Sequence, residues 1–248
     1  MKIARLVDPE TGKELQGKLK DSGLLETKNG KFHPNKVDLL APVDPGKIIC
    51  VGLNYADHAD ETGSEIPERP SLFFKPPSSV VGPGDSILIT EGNRYDPEGE
   101  VAIVIEKQCR NVVDKKEVWD CIMGFTGLND VTNRDAQNWE QNWVRAKGFD
   151  TAAPIGPYIL PAENAELPLS FQLSVNGEVR QSSDTSELVF GILELVSEVS
   201  SFMTLQEGDI ISTGTPKGIE PIEAGDEVSL KIEGIGSLEN DVSYSSEV

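Results

Sequence analysis

Short apolar runs punctuated by glycine and proline recur along most of the chain, and they predict strands. The segments are "KIARLVD", "KIICVGL", "SLFFKPPSS", "SILIT", "EVAIVIE", "FQLSVNGEV", "DIISTG" and "DEVSLKIEGIGSL". Within them, "SVNGEV" carries Asn-Gly, which suits the two-residue turn of a hairpin. Two kinds of stretch break this pattern. "TSELVFGILELVSEVSSFMTL" has apolar residues at helical spacing and predicts a helix, with Asp184 or Thr185 as its N-cap. "VWDCIMGF" and "RDAQNWEQNWV" predict shorter helices. Near the N-terminus, "PETGKE" reads as a turn and "LKDSGLLETKNGKFHPN" as irregular structure. The two prolines and glycine of "LLAPVDPGK" then mark a boundary. The expectation is a mostly β protein with a few helices: a small strand-and-turn domain over residues 1–45 and a main domain over 46–248.

One strand has an unusual start. In "RYDPEGEVAIVIEK", Glu98 and Glu100 stand directly before the apolar run Val101 to Ile105. Side chains at i and i+2 of a strand share a face, so the two carboxylates line up with Ala102 and Val104 while Val101, Ile103 and Ile105 take the other face. A strand apolar on both faces is buried on both. Like charges held close at its mouth repel, and burial drives one of them to protonate. A hard dication with oxygen ligands resolves that conflict; a strand end pointing into water avoids it.

Composition narrows the function. The 248 residues carry a formal net charge of -20, with a pI of about 4.4, which disfavours nucleic acid and anionic membrane surfaces as partners. The acids are scattered along the chain. They fit either an ordinary solvated surface or a protein adapted to high salt, where counterions screen self-repulsion. Cys50, Cys109 and Cys121 have neither zinc-site nor disulfide-framework spacing and read as small buried hydrophobes. No secretory leader and no membrane-length apolar run is present, so a cytoplasmic protein is expected.

The remaining chemistry-bearing residues are few. His33 lies in a polar stretch and is expected at the surface. His58, the other of two histidines, lies in "GLNYADHADETG". If that stretch makes a helical turn, Glu61 shares its face at i+3, and a carboxylate there would orient the imidazole as a general base. Asp130, in "GLNDVTNRDAQ", follows an apolar run and suits either a third oxygen ligand or an Asx turn. Lys147 sits between an aromatic-rich helix and a Pro/Gly loop, where it could meet an anionic substrate or water. "TGTPKGIEP" lacks the P-loop pattern, yet its backbone N–H groups and Thr215 could hold a carboxylate.

Together these segments resemble the fumarylacetoacetate hydrolase family, especially its acylpyruvate-hydrolase and 2-hydroxyhepta-2,4-diene-1,7-dioate isomerase-like members. The carriers are "KIICVGLNYADHADE", "PSLFFKPPSSVVGPGD", "EGEVAIVIEK", "GFTGLNDVTNRDAQ", "AKGFDTAAPIGPYI", "VNGEVRQSSDTSELVF", "LQEGDIISTGTPKGI" and "GDEVSLKIEGIGSLEN", in the family's order from about residue 46 to 242. The resemblance implies a mixed β-sandwich roll and a homodimer. It implies Mg²⁺ or Mn²⁺ held by Glu98, Glu100 and Asp130, with His58, Glu61 and Lys147 as catalytic residues. Thr215, Arg134 and Gln181 would line the substrate. Pro97 and Gly99 stand where relatives often carry larger residues, a departure expected to widen the site or loosen the strand end. The implied substrate is a 2-oxo acid or its enol, and the leading reaction is hydrolysis of a C–C bond in an acylpyruvate. Isomerisation or decarboxylation of a hydroxyheptadienedioate and dehydration of a 2-keto-3-deoxy sugar acid use the same enolate chemistry. A metal-binding homologue without turnover is the alternative from another class.

Overall fold

The computed structural model describes residues 1–245. Its first strands are β1 (Lys2–Val7), β2 (Glu14–Leu19), β3 (Leu25–Thr27), β4 (Gly30–Phe32) and β5 (Leu39–Leu40). Next come β6 (Ile48–Gly52), α1 (Ala56–Thr62), β7 (Ser71–Lys75), β8 (Val80–Val81), β9 (Ile87–Ile89) and β10 (Tyr95–Asp96). The middle of the chain forms β11 (Gly99–Ile105), α2 (Lys115–Trp119), β12 (Ile122–Asn129), β13 (Thr132–Asn133), α3 (Arg134–Trp139), α4 (Val144–Lys147) and β14 (Ala153–Pro161). The last elements are β15 (Ser170–Val175), β16 (Glu178–Asp184), α5 (Ile192–Phe202), β17 (Ile210–Ser212), β18 (Glu227–Ile232) and β19 (Gly236–Tyr244). Among the described residues no helix is long and apolar enough to cross a membrane.

Two large mixed sheets face each other. The larger runs β4-β3-β2-β1-β14-β12-β11-β17-β6-β7, with β5 on β1 and β8 on β14; the smaller runs β16-β15-β18-β19-β9. The N-terminal strands join the larger sheet through Ile3 opposite Ile159 and keep a small cluster of their own, Ala4, Leu6, Leu15 and Leu25. The main core lies between the sheets. It joins Val101, Ile103 and Ile105 of β11 to Phe171 and Leu173 of β15, Leu230 and Ile232 of β18, and Leu195, Val196 and Val199 of α5. All seven residues of β11 are buried, as its two apolar faces require. Ala102, on the other face, packs with Cys50, Leu128, Ile155 and Ile210. Residues Asn176 and Gly177 both have positive φ and close the β15–β16 hairpin.

Tertiary contacts overrode local pattern at four places. The helix expected from about residue 185 begins only at Ile192. Val189 N–H donates to Asn54 O, and Phe190 N–H to Asn54 Oδ1. These bonds hold residues 188–190 against the turn after β6. Neither Asp184 nor Thr185 caps α5; the Thr185 hydroxyl accepts from Leu169 N–H instead. "VWDCIMGF" divides, with α2 ending at Trp119 and Ile122 onward joining β12, between β11 and β14. The expected irregular stretch contains β3 and β4, which pair on β2 and each other. The Pro/Gly segment after Lys147 is β14, a nine-residue inner strand. Proline disfavours inner strands because it lacks the ladder N–H, and the β12–β14 pairing shifts register between Phe125 and Gly127, beside Gly156–Pro157.

Candidate active site

Antiparallel pairing of β11 with β12 assembles the acidic cluster. Gly99 lies opposite Asn129, so the start of one strand meets the end of the other. Asp130 N–H donates to Glu98 O at 2.8 Å, and Glu98 N–H to Asn129 Oδ1 at 2.9 Å. Glu98 and Asp130 thus become neighbours although 32 positions separate them. Glu98, Glu100 and Asp130 are all buried, and each offers an oxygen within 4.8 Å of the others. Oxygen-only donors in a tight, buried, negatively charged cluster fit a hard dication. Gly99 points the other way. A Cβ there would come within 2.9 Å of Leu230 Cδ1 and 3.1 Å of Leu173. The missing side chain therefore lets the sheets close; it neither widens the site nor loosens the strand end.

Three cations balance the cluster, the buried Lys147 and Lys75 and the half-buried Arg134. Lys147 Nζ donates to Glu98 Oε2 and Asp130 Oδ2, both at 2.7 Å. Lys75 Nζ donates to Asp130 Oδ1 at 2.5 Å and to Val131 O at 3.3 Å. Arg134 reaches Glu98 Oε1 through Nη2 at 2.5 Å and Asp96 Oδ2 through Nε at 2.8 Å. Arg94 completes the Asp96 pair. Burial by itself would raise the Glu98 pKa, but Lys147 and Arg134 overcome it and hold the carboxyl well below the usual range. Glu100 behaves oppositely. Its Oε2 accepts only from Ser212 Oγ at 2.5 Å and Gly214 N–H at 2.9 Å. Burial and the nearby Asp130 charge push it up to about 8. Among the described residues no cationic side chain hydrogen-bonds Glu100, which leaves it the carboxylate most in need of a positive ion.

Helix α1 presents the histidine. Its i and i+3 residues meet as the sequence suggests, with His58 Nδ1 3.2 Å from Glu61 Oε2. Glu61 Oε1 in turn accepts from Gly218 N–H at 2.9 Å. A carboxylate can only accept, so Nδ1 carries the hydrogen, and in the neutral imidazole Nε2 keeps a lone pair. A cavity of about 280 Å³ brings His58 together with Glu98, Glu100, Asp130, Arg134, Lys147 and Thr215.

Two expected roles take a different form. Gln181 lies behind the cavity. It accepts from Gly99 N–H through Oε1 and donates through Nε2 to Thr215 Oγ1 and Pro216 O, so it fixes the loop to the strand end. The "TGTPKGIEP" loop does hold carboxylates, but they belong to the chain: Gly214 N–H meets Glu100, Lys217 N–H meets Asp57 and Gly218 N–H meets Glu61. Thr215 lines the cavity while its hydroxyl donates to Gly99 O. Sequence reasoning missed Lys75, Asp96 and Ser212. The one signal for Lys75 was its place at the end of the apolar run "SLFFK", where a lysine 1% exposed needs a charged partner.

A family model for the fumarylacetoacetate (FAA) hydrolase C-terminal domain matches residues 47–243. Oxaloacetate tautomerase YisK of Bacillus subtilis is 41% identical over 223 residues, covering 84% of this chain and 74% of that protein. Among solved structures, the 5-carboxymethyl-2-hydroxymuconate delta-isomerase from Mycobacterium smegmatis has a TM-score of 0.89 at 38% identity, with 100% of both chains covered. The maleylpyruvate hydrolase from Sphingobium sp. SYK-6, in complex with manganese (II) ion and pyruvate, has a TM-score of 0.84 at 27% identity, covering 99% of this chain and 100% of that one. Tautomerase, isomerase and hydrolase thus share one mixed-sheet fold with this chain, which is a member of the fumarylacetoacetate hydrolase family.

Proposed function

We propose that this chain is a divalent-metal-dependent enzyme that hydrolyses a C–C bond in an acylpyruvate-like 2-oxo acid. The supporting observation is the fixed His58–Glu61 pair on the same cavity as the acidic triad. Glu98, Glu100 and Asp130 are the residues that would hold Mg²⁺ or Mn²⁺, and manganese accompanies pyruvate in the hydrolase neighbour. When bound, such an ion polarises a 2-oxo group and stabilises enolate charge. Lys147 adds a fixed positive charge beside the same oxygens. His58 Nε2 takes a proton from water, whose oxygen attacks the distal carbonyl carbon. The bond between that carbon and its neighbour breaks, giving a carboxylic acid and the enolate of pyruvate, which then takes a proton on carbon. Glu61 keeps the imidazole in the right tautomer and stabilises its charged form.

A second reading follows from the similarity to an oxaloacetate tautomerase. There His58 would carry a proton between C3 and the enol oxygen, with no water consumed. One assay separates the two. With Mg²⁺ present, 2,4-dioxo acids and enol-oxaloacetate are followed by ultraviolet loss of the enol and by coupled detection of pyruvate. Hydrolysis gives stoichiometric pyruvate from the dioxo acids. Faster enol loss from oxaloacetate, with no pyruvate from any dioxo acid, would replace hydrolysis by tautomerisation.

A further inference from the structure

His58 and the acidic triad reach one cavity from different parts of the fold, and α1 is poorly equipped to hold the histidine there alone. The helix has 7 residues, and its N-cap Tyr55 makes no side-chain cap bond. A helix this short is marginal without tertiary support. Asp60 and Glu61 stand in its last turn with no basic residue beside them, and acids are unfavourable at the negative end of a helix. Glu61 is partly exposed, and a histidine–carboxylate contact at the surface fixes little by itself.

The loop after β17 supplies what the helix lacks. Asn54, just before α1, donates through Nδ2 to Thr213 O at 2.8 Å. Further along, the consecutive N–H groups of Lys217 and Gly218 donate to Asp57 at 3.4 Å and to Glu61 at 2.9 Å. Asp57 and Glu61 are i and i+4 on one helix face. Both ends of α1 are thus tied to one loop. The same loop gives Gly214 N–H to Glu100 of the triad, and Gln181 fixes its middle through Thr215 Oγ1 and Pro216 O.

The path of the loop needs glycine at both ends of "GTPKG". Gly214 has φ of 96° and Gly218 of 106°, open to glycine and strained for other residues. A Cβ at Gly214 would lie 2.9 Å from Val51 O, and one at Gly218 would lie 2.1 Å from Arg180 O. Val51 belongs to β6 and Arg180 to β16, so neither oxygen gives way freely. A side chain at 218 must therefore move the N–H from which Glu61 accepts. That bond matters because Glu61 is held at both oxygens, Oε1 by Gly218 N–H and Oε2 by His58 Nδ1 at 3.2 Å. Two contacts fix the plane of the carboxylate, and the carboxylate fixes the imidazole.

We infer that the 214–218 loop sets the position of the base relative to the triad, and that Gly218 is a positioning residue acting through Glu61. This rests on the reading of His58 as the base. It does not require hydrolysis, since a proton carried in tautomerisation needs the same alignment.

The imidazole tautomer tests the inference without turnover. The chain has two histidines, so long-range ¹H–¹⁵N spectra of protein labelled at histidine can be read directly, with His33 as the internal control. At about pH 9, above the ordinary range of imidazoles, wild-type His58 should be almost wholly the Nδ1–H tautomer. Gly218→Ala should shift it toward the Nε2–H form, as Glu61→Ala does, while Mn²⁺ affinity stays within about threefold. On an acylpyruvate, Gly218→Ala should lower kcat by about 10–10²-fold with KM little changed, and cost less than about twofold further in the Glu61→Ala background. Equal losses in the two backgrounds would show that Gly218 does not act through Glu61. A parallel fall in Mn²⁺ affinity would make the glycine merely structural. Either result overturns the inference, as does an unchanged His58 tautomer. Should Gly218→Ala fail to fold, hydrogen exchange on the unsubstituted loop tests the same bond. Glu61→Ala should speed exchange of the Gly218 amide at least about tenfold and leave the Gly214 amide as it was; equal protection of Gly218 in both proteins overturns the inference. If the tautomer shifts as expected but wild type cleaves no acylpyruvate, hydrolysis fails and the positioning inference stands.

Discussion

With Glu100 as one of the proposed metal ligands, metal affinity should depend on pH. Burial and the Asp130 charge raise its pKa from 4.5 to about 8, so at neutral pH most metal-free molecules hold a proton where a ligand oxygen is needed. Binding must expel that proton, and apparent affinity then follows the deprotonated fraction. That fraction is about 1% at pH 6, about 10% at pH 7 and about half at pH 8. Mn²⁺ affinity should therefore rise about tenfold from pH 6 to 7, about fivefold from 7 to 8, and level off above 9. Titration calorimetry at pH 6 in two buffers of different ionisation enthalpy should show about one proton released per ion. Stability of the metal-free protein moves the other way. Because the folded-state pKa lies above the unfolded value, the fold binds more protons than the unfolded chain between about pH 4.5 and 8. Its stability should fall as pH rises through that window. Glu100→Gln removes both effects: the metal-free variant should melt higher than wild type at pH 8 yet bind Mn²⁺ far more weakly. Affinity that stays flat from pH 6 to 8, with no proton released, would refute the argument.

Four further outcomes are expected. His58→Ala should lower cleavage of an acylpyruvate by about 10²–10⁴-fold while Mn²⁺ affinity stays within a few-fold; cleavage close to wild type would remove His58 as the base. Lys147→Met leaves Glu98 and Asp130 short of a buried cation and should cost the metal-free fold roughly 3 kcal/mol. Saturating Mn²⁺ should shrink that loss in a thermal melt, and an undiminished loss would mean that the ion does not sit among these oxygens. Gly99→Ala drives a Cβ to within 2.9 Å of Leu230 Cδ1 and should destabilise the fold by about 1–3 kcal/mol; a neutral result in denaturant titration would show that the two sheets separate easily here. With a net charge of -20, the melting temperature should climb as KCl is raised toward molar concentration, and a flat salt profile would leave the acidity as an ordinary solvated surface.

The site was legible wherever its geometry is local. Period-two alternation put Glu98, just before β11, on the same side as Glu100, and helical spacing put His58 over Glu61; both need only a few consecutive residues. The family resemblance supplied Asp130 and Lys147, whose local sequence suits an Asx turn or a solvated lysine equally well. What stayed hidden depends on which strands become neighbours. Lys75 reaches Asp130 because the end of β7 lies near the end of β12, across 55 positions of chain, and Ser212 reaches Glu100 because β17 pairs with β11. No window of sequence contains those relations. β14 was hidden for the opposite reason: its glycine and proline are strong local signals for a loop, and only pairing on both sides turns the segment into a strand.

The charge inventory also indicates which form of substrate the site favours. Glu98, Glu100 and Asp130 face Lys75, Lys147 and Arg134, while Asp96 is taken up by Arg94 and Arg134. Ionised throughout, this inner cluster is neutral, with Glu61 at the rim, its side chain 30% exposed and screened by water. A dication then leaves two positive charges in excess. A 2-oxo acid monoanion neutralises one of them, and its enolate neutralises both. On the proposed reaction, the site is thus better matched to the enolate than to the 2-oxo acid, which is the condition for lowering a barrier and not merely tightening binding. A dicarboxylate would already cancel the excess before any bond changed, and its enolate would overshoot. For the proposed reaction, the electrostatics of the site therefore favour a monoanion whose second charge appears only during the reaction.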